Sequence, residues 1–181
     1  AGLRFDRAKY YEGAYYIEDA TNATDILNDL VDPDQAEHNW NAISPRISAQ
    51  YRISDDIRVF GTYSRGFRPS ILDDLCRSGF VRGGFKRANP NLEPENLNSY
   101  EVGADVHMAG LTVSPSFYYS KGEDFMYYVS TGDSIPMFGR VRPIRQVENI
   151  GEVEIKGFEL DLRYSLSLSL ELFAGYNWNE S

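Results

Sequence analysis

Two stretches of the chain concentrate cations and aromatic rings in a way that suits anion recognition. Between Pro69 and Asn98, Arg77, Arg82, Lys86 and Arg87 interleave with Phe80 and Phe85, and Gly79, Gly83 and Gly84 loosen the backbone. Between Ser130 and Gln146, Arg140, Arg142 and Arg145 stand beside Phe138. A guanidinium offers a fork of donors that matches carboxylate or phosphate, and an aromatic face adds stacking and attraction for cations. Together they fit an anionic, partly aromatic chelate. They fit lipid-borne phosphates or plain solvation equally well, so the residues alone leave three readings open.

Other chemistries find little support. There is no H-E-x-x-H, no G-x-S-x-G, no P-loop and no paired cysteine. The lone Cys76 has no histidine near it in sequence, so an idle thiol is expected. Asp55-Asp56 and Asp73-Asp74 read as turn or cap residues. Between Ile17 and Asn39 lie Glu18, Asp19, Asp25, Asp29, Asp32, Asp34 and Glu37 without Lys or Arg. Asp32 and Asp34 suit Ca²⁺, but no EF-hand spacing exists and a solvated loop is the simpler reading. Thr24-Asp25-Ile26-Leu27 suits the start of a short helix there. The expectation is no enzyme, no resident metal and no cofactor.

The bulk composition narrows the class. With 181 residues the chain can bury a sizeable core, yet it carries 13 Tyr, 10 Phe and 2 Trp alongside 25% charged residues and a negative mean hydropathy. Tyr and Trp gather where one end of a side chain is apolar and the other wet. A net charge of -9 argues against nucleic acid as a partner. No run of about 18 apolar residues exists, which excludes a transmembrane helix but not barrel strands. The sequence opens in mid-pattern at Ala1-Gly2-Leu3-Arg4-Phe5-Asp6, as if cut from something longer.

Strict alternation positions the candidate loops. Ile43, Pro45, Ile47, Ala49, Tyr51 and Ile53 share one face of the segment Ile43–Ser54. Tyr100, Val102, Ala104, Val106 and Met108 do so in Ser99–Met108, and Leu111, Val113, Pro115, Phe117 and Tyr119 in Leu111–Ser120. In Ser165–Asn179 the face is Leu166, Leu168, Leu170, Leu172, Ala174, Tyr176 and Trp178. Ser, Arg, Glu and Gln dominate the opposite faces, as strands with one oily and one wet side require. Ile57–Arg68 is a further strand, although Phe60 interrupts its polar side. In Glu152–Tyr164 the apolar parity switches between Ile155 and Phe158, which predicts a bulge at Lys156-Gly157. A first strand over Leu3 to about Tyr15 brings the count to about seven.

Connections alternate in length. Ser54-Asp55-Asp56, Ala109-Gly110 and Ser165-Leu166-Ser167 read as tight turns, whereas Ile17–Asn39, Pro69–Asn98 and Ser130–Gln146 read as long loops. Short turns at one end and long loops at the other describe an antiparallel transmembrane β-barrel wall, with lipid on the apolar face and a lumen on the other. A soluble extracellular β-sandwich binding module is the alternative. In it Leu166, Leu168, Leu170 and Leu172 would interdigitate with a second sheet. A passive porin is a third.

Three boxes resemble the second half of TonB-dependent outer-membrane receptors. Ile43-Ser44-Pro45-Arg46-Ile47 followed by Phe67-Arg68-Pro69 is similar to that family's "GFRxP" box, with the small residue before the proline missing. Asn89-Pro90-Asn91-Leu92-Glu93-Pro94-Glu95 with Ser99-Tyr100-Glu101-Val102-Gly103 resembles "NPNLxPE…SYExG". Asn149-Ile150-Gly151 with Ile155-Lys156-Gly157-Phe158-Glu159 resembles "NxG…IxGxE". Mechanically, Pro90 and Pro94 fix the angle at which the chain re-enters the sheet, and Glu95 and Glu101 could pair with Arg65 or Arg68.

The resemblance implies an outer-membrane barrel of about 22 strands, plugged by an N-terminal domain that contacts TonB. On that reading residues 1–181 are one fragment of a barrel domain, without the plug or the closing C-terminal strands. Its partners would be outer-membrane lipid and lipopolysaccharide, a metal chelate, and TonB through the plug. Haem-binding members carry a histidine between the first two boxes. Here Arg68 to Asn89 has none; His38 and His107 are the only histidines, and His107 reads as a lumen residue by a tight turn. A ferric siderophore is therefore expected ahead of haem, with cobalamin open.

Overall fold

Alternation along the chain becomes a single curved β-sheet in the computed structural model, which describes residues 1–11, 37–81, 83–137, 139–167 and 169–181. The seven expected long strands are β1 (Gly2–Tyr10), β2 (His38–Arg52), β3 (Ile57–Arg68), β6 (Glu95–Met108), β7 (Leu111–Met137), β8 (Arg140–Ser167) and β9 (Leu170–Glu180). They pair antiparallel in chain order. Between β3 and β6 the chain adds a short helix, α1 (Leu72–Cys76), and two strands that were not expected, β4 (Gly79–Val81) and β5 (Gly84–Arg87). Strand β5 runs parallel to β8, Phe85 opposite Ile144, so the sheet is not purely antiparallel.

Two expected connections are different in kind. Ser130–Gln146 is not a loop but the top of a tall hairpin, with Met137 opposite Arg140 and a turn at Gly139. Strand β8 continues through Ser165-Leu166-Ser167, so the turn to β9 falls two residues later than expected. The acidic residues of 12–36, the helix cap at Thr24 and the end of the first predicted strand lie outside the described residues.

The cross-strand register lines up one apolar face. Ala49, Gly61, Val102, Phe117, Phe158 and Trp178 form one row across β2, β3, β6, β7, β8 and β9. Of the four leucines that separate barrel from sandwich, Leu168 lies outside the described residues; Leu166, Leu170 and Leu172 are 55%, 47% and 52% exposed, and no second sheet covers them among the described residues. One row further out, Tyr63, Tyr100 and Tyr119 lie side by side, their ring centroids 5.0 and 6.4 Å apart. Beyond that row the same face turns polar: Arg65, Asn98, Lys121 and Glu154 stand in register. Apolar, aromatic, then charged is the order of a bilayer boundary.

That boundary is not parallel to the rows. On β2 the outward face turns polar between Ile43 and Asn41, and on β9 between Trp178 and Glu180. Carried through the register, the boundary climbs by about six residues, or about 20 Å at ~3.3 Å per residue, over five interstrand steps of ~4.8 Å. The strands are thus inclined by about 40° to the normal of that boundary. Transmembrane barrels tilt their strands by about 35–45°.

The same slope accounts for the parity switch in β8. No register shift occurs at Lys156-Gly157, and the predicted bulge is absent; shifts lie at Gly122/Phe125, Phe125/Met126 and Ser130/Ser134. Glu154 and Lys156 are outward-facing but already above the lipid, so the outward side becomes polar there without any slip of the chain. Phe60, which breaks the polar face of β3, covers Gly103, where a Cβ would come within 2.5 Å of the ring. Tyr118 covers Gly157 in the same way, within 2.4 Å. Glycine on one strand makes room for an aromatic ring on the next. The remaining inner face is a polar ladder: Arg58 binds Asp105, Ser114 donates to Asp105 at 2.7 Å, and Thr62 donates to Ser48 at 3.2 Å.

Candidate functional site

Each of the three boxes supplies part of one latch at the outer end of the sheet. Arg68, the last residue of β3, forms an ion pair with Glu95, the first residue of β6. Glu95 is buried and also accepts the Met126 N–H at 2.9 Å, which ties β7 to the same carboxylate. Burial opposes the Arg68 charge less than the Glu95 hydrogen bond favours it, and its pKa is held above the ordinary value. Glu101 forms no ion pair among the described residues, and Arg65 donates to Asn96 at 3.1 Å instead.

Asn89 and Asn149 anchor the loop between them. Asn89 donates to the Val147 carbonyl at 2.8 Å and accepts the Asn91 N–H at 3.0 Å, an Asx turn that bends the chain at Pro90. Asn149 donates to the carbonyls of Glu93 and Asp124 at 2.8 and 2.6 Å and accepts the Glu93 N–H at 2.8 Å. Leu92 is fully buried with Leu75 and Val147, against Tyr10, Trp40 and Met126. Since Tyr10 and Trp40 come from β1 and β2 and Val147 from β8, the loop crosses the concave side of the sheet and bridges β1 and β2 to β8.

Burial removes two predicted ligand residues from the surface. Phe85 packs with Ile135 and Ile144 in a second apolar cluster. Lys86 is 2% exposed. Its Nζ donates to the Asp73 carbonyl at 2.7 Å, to Asp73 Oδ2 at 2.6 Å and to Asp74 Oδ1 at 2.6 Å. All three ammonium donors are used. Asp73-Asp74 does sit in the first turn of α1, as a cap residue would, and beyond that it is the counter-charge of a buried lysine. Burial opposes both charges, yet the hydrogen bonds outweigh it, so Lys86 is held above its usual pKa and Asp73 below. Cys76 is buried beneath, its thiol pushed up by burial and donating to the Leu72 carbonyl at 3.0 Å.

The other cations do not converge on one point. Arg77 pairs with Asp73 at 2.8 Å, and Arg87 donates to Gln146 at 2.9 Å. Arg142 shares a face of β8 with Ile144, and its buried Nε has no hydrogen-bond partner among the described residues. Arg140 and Arg145 are exposed. Phe80 pairs with Phe85 through its backbone, and Arg82 and Phe138 lie outside the described residues. Sequence reading missed the aromatic wall of the mouth. His38 stacks on Trp40 at 4.7 Å, Tyr10 meets Trp40 edge-on at 5.7 Å, and the Tyr10 hydroxyl donates to the Ser70 carbonyl at 3.0 Å. Their even parity, inward on strands whose outward face is already polar, was the available signal. His107 accords with expectation: its Nδ1 lies 2.9 Å from Thr112 Oγ1, beside the tight turn.

Comparison with known proteins agrees with this arrangement. The sequence model of the TonB dependent receptor-like β-barrel matches residues 1–181. The chain is 24% identical over 146 residues to the pesticin receptor of Yersinia pestis, covering 81% of this chain and 18% of that protein. It is 26% identical over 180 residues to the metal-pseudopaline receptor CntO of Pseudomonas aeruginosa, covering 97% of this chain and 20% of that one. It thus spans about a fifth of the length of these curated relatives. Among solved structures, a double mutant of the Serratia marcescens hemophore receptor HasR, in complex with its hemophore HasA and heme, superposes with a TM-score of 0.67. That match covers 81% of this chain and 23% of HasR at 16% identity, a likeness of fold. These relatives are receptors and transporters, not enzymes. The chain belongs to the TonB-dependent receptor-like β-barrel family, whose members are bacterial outer-membrane proteins.

Proposed function

We propose that the protein containing this barrel wall takes up a metal chelate across the outer membrane in a TonB-dependent way, and that the chelate is a ferric siderophore ahead of haem or cobalamin. The observation that carries the reading is the latched loop across the concave side of the sheet, with Arg140 and Arg145 exposed on the tall hairpin beside it. Exposed guanidinium groups on the hairpin, above a mouth lined by Tyr10 and Trp40, suit an anionic chelate with aromatic parts. The relative CntO, matched over nearly the whole chain, is by its name a receptor for a metal chelate. Haem ranks lower because the segment from Arg68 to Asn89 carries no histidine. In this reading the wall is one part of a barrel of about 22 strands. Energy reaches it from TonB through a plug domain encoded outside residues 1–181.

The test is uptake by the full-length receptor in cells lacking their own receptors, with radiolabelled iron presented as a catecholate siderophore, a hydroxamate siderophore or haem. Siderophore-borne iron should enter only when TonB is present, and Arg140→Ala with Arg145→Ala should raise the half-saturating concentration about tenfold. Uptake that persists without TonB, or that is confined to haem, would sink the proposal.

A further inference from the structure

The segment between β3 and β6 occupies the place of a lid but carries the bonds of a strut. It leaves the sheet after Arg68 and rejoins it at Glu95, on neighbouring strands, and in between it reaches both flanks of the concave side. Toward β1 and β2, the Ser70 carbonyl accepts the Tyr10 hydroxyl at 3.0 Å, and Leu75 and Leu92 pack against Tyr10 and Trp40. Toward β8, the backbone of β5 pairs with Ile144–Gln146, and the Ala88 carbonyl accepts Gln146 Nε2 at 2.8 Å. The two reaches are tied to each other: Lys86 of β5 holds Asp73 and Asp74 of α1, and the Asn89 N–H donates to the Asp74 carbonyl at 2.9 Å. Five interstrand steps separate β1 from β8, about 24 Å of arc at ~4.8 Å each, and the segment is the chord under that arc.

A lid has to open often, so its buried contacts are few and its hydrogen bonds face water. Here the balance is reversed. Ser70, Leu75, Phe85, Lys86 and Leu92, all in this segment, are the largest fully buried side chains among the described residues. The wall beneath is a single sheet, so the packed clusters of the described residues lie at the chord and not in the wall. Above the lipid boundary no bilayer confines the strands, and a tie across the concave side is what fixes their curvature.

We propose that this segment is a fixed strut that sets the width of the mouth and stays seated while ligand passes. It holds the aromatic wall of Tyr10 and Trp40 at a constant distance from the arginines of the β7–β8 hairpin. Two side chains position it. Asn149 of β8 grips both backbone groups of Glu93, each at 2.8 Å, and Leu92 fills the apolar seat with Tyr10, Trp40 and Val147. A mouth held in this way is pre-organised, and ligand binding orders no loop. The effect on uptake rests on the transport reading above; the fixed width does not.

The width is measured in the full-length receptor in lipid vesicles, by electron–electron dipolar spectroscopy between spin labels on Lys9→Cys of β1 and Glu148→Cys of β8; the buried Cys76 takes no label. The distance should form one narrow peak and move by less than about 2 Å when a gallium-loaded catecholate or hydroxamate siderophore is added. Leu92→Ala with Asn149→Ala should broaden the peak. In cells that double variant should raise the half-saturating siderophore concentration about tenfold at an unchanged maximal rate, as for a mouth at its working width about a tenth of the time. Ala88→Cys with Val147→Cys, one step beyond the Arg87–Gln146 pair, should close into a disulfide that pins the strut without touching Arg140 or Arg145. Iron uptake by this locked receptor should equal that of its reduced form. A larger shift on loading, an unbroadened peak in the double variant, failure of the two cysteines to couple, or uptake lost on oxidation and regained on reduction would each overturn the proposal. The lock gives its answer even if the double variant fails to fold. A receptor that carried no siderophore in any form would sink the transport reading, and the distance measurement would still decide the strut.

Discussion

Replacing Lys86 with methionine keeps the packing volume of the side chain but deletes its charge and three hydrogen bonds. Removing one partner of a buried ion pair costs about 3–5 kcal/mol when the other is fully buried. Here the partners are less enclosed, with the side chains of Asp73 and Asp74 42% and 17% exposed, so water can take over part of their solvation. About 2 kcal/mol is a fair net cost, or about a thirtyfold increase in the open population of the loop. The loss should be local, because the Lys86 ammonium bonds only α1, and its strand meets β8 at Ile144–Gln146, well above the lipid boundary. Hydrogen exchange on the full-length receptor in micelles reads this directly. Amides from Leu72 to Arg87 should exchange about thirtyfold faster, while those from Ser99 to Ser120 keep their rates. Unchanged exchange in the loop would refute the idea that the buried ammonium holds it down. An equal acceleration in the wall would refute its being a local latch.

The same exchange experiment run against pH should find a plateau with two edges. Asp73 is held below its ordinary range, so its contribution is present above that range and lost as pH falls through the lowered value. Lys86 is held above its ordinary range, so its contribution is complete below that range and lost only as pH rises past the raised value. Loop protection that changed near neutrality would contradict both shifts. Val102→Arg, on the apolar row, should cost about 2–4 kcal/mol in urea unfolding from lipid vesicles. Its neighbour Glu101→Arg, on the lumen side, should cost well under half of that, and similar losses would place lipid on the wrong face. Ala109 holds a left-handed φ of 43° before Gly110 in the β6–β7 turn. Ala109→Asn should therefore stabilise by about 0.5–1 kcal/mol in the same assay, and a loss would show that the turn is not strained.

The lipid-crossing parts of the sheet were legible because a bilayer imposes contrast: Val102 must differ from Glu101, and the difference is visible as alternation. Above the boundary both faces are wet, and the contrast vanishes. That is why the hairpin top carrying Gly132, Pro136, Gly139 and Pro143 read as a loop although its backbone is paired. It is also why Glu154 and Lys156 mimicked a bulge. Strands β4 and β5, of three and four residues, are too short to show a period at all. The latch was half legible. Its three boxes could be found and the Arg68–Glu95 pair anticipated, but their convergence through Asn89 and Asn149 is a matter of tertiary contact. Lys86 was misplaced for a simpler reason. A lysine among arginines reads as solvent-facing, and its partners Asp73 and Asp74 precede it by thirteen and twelve residues.

The β7–β8 hairpin carries about 60 Å of strand past Tyr119, farther than any neighbour in the sheet. Backbone amide and carbonyl groups on the flank of so tall a strand are the template on which another chain could zip. Strand β5 occupies that flank at Ile144–Gln146, fastened by the Asn89 and Gln146 side chains just beyond it. By folding a piece of its own loop against the tower, the chain closes that stretch of β8 to any other strand.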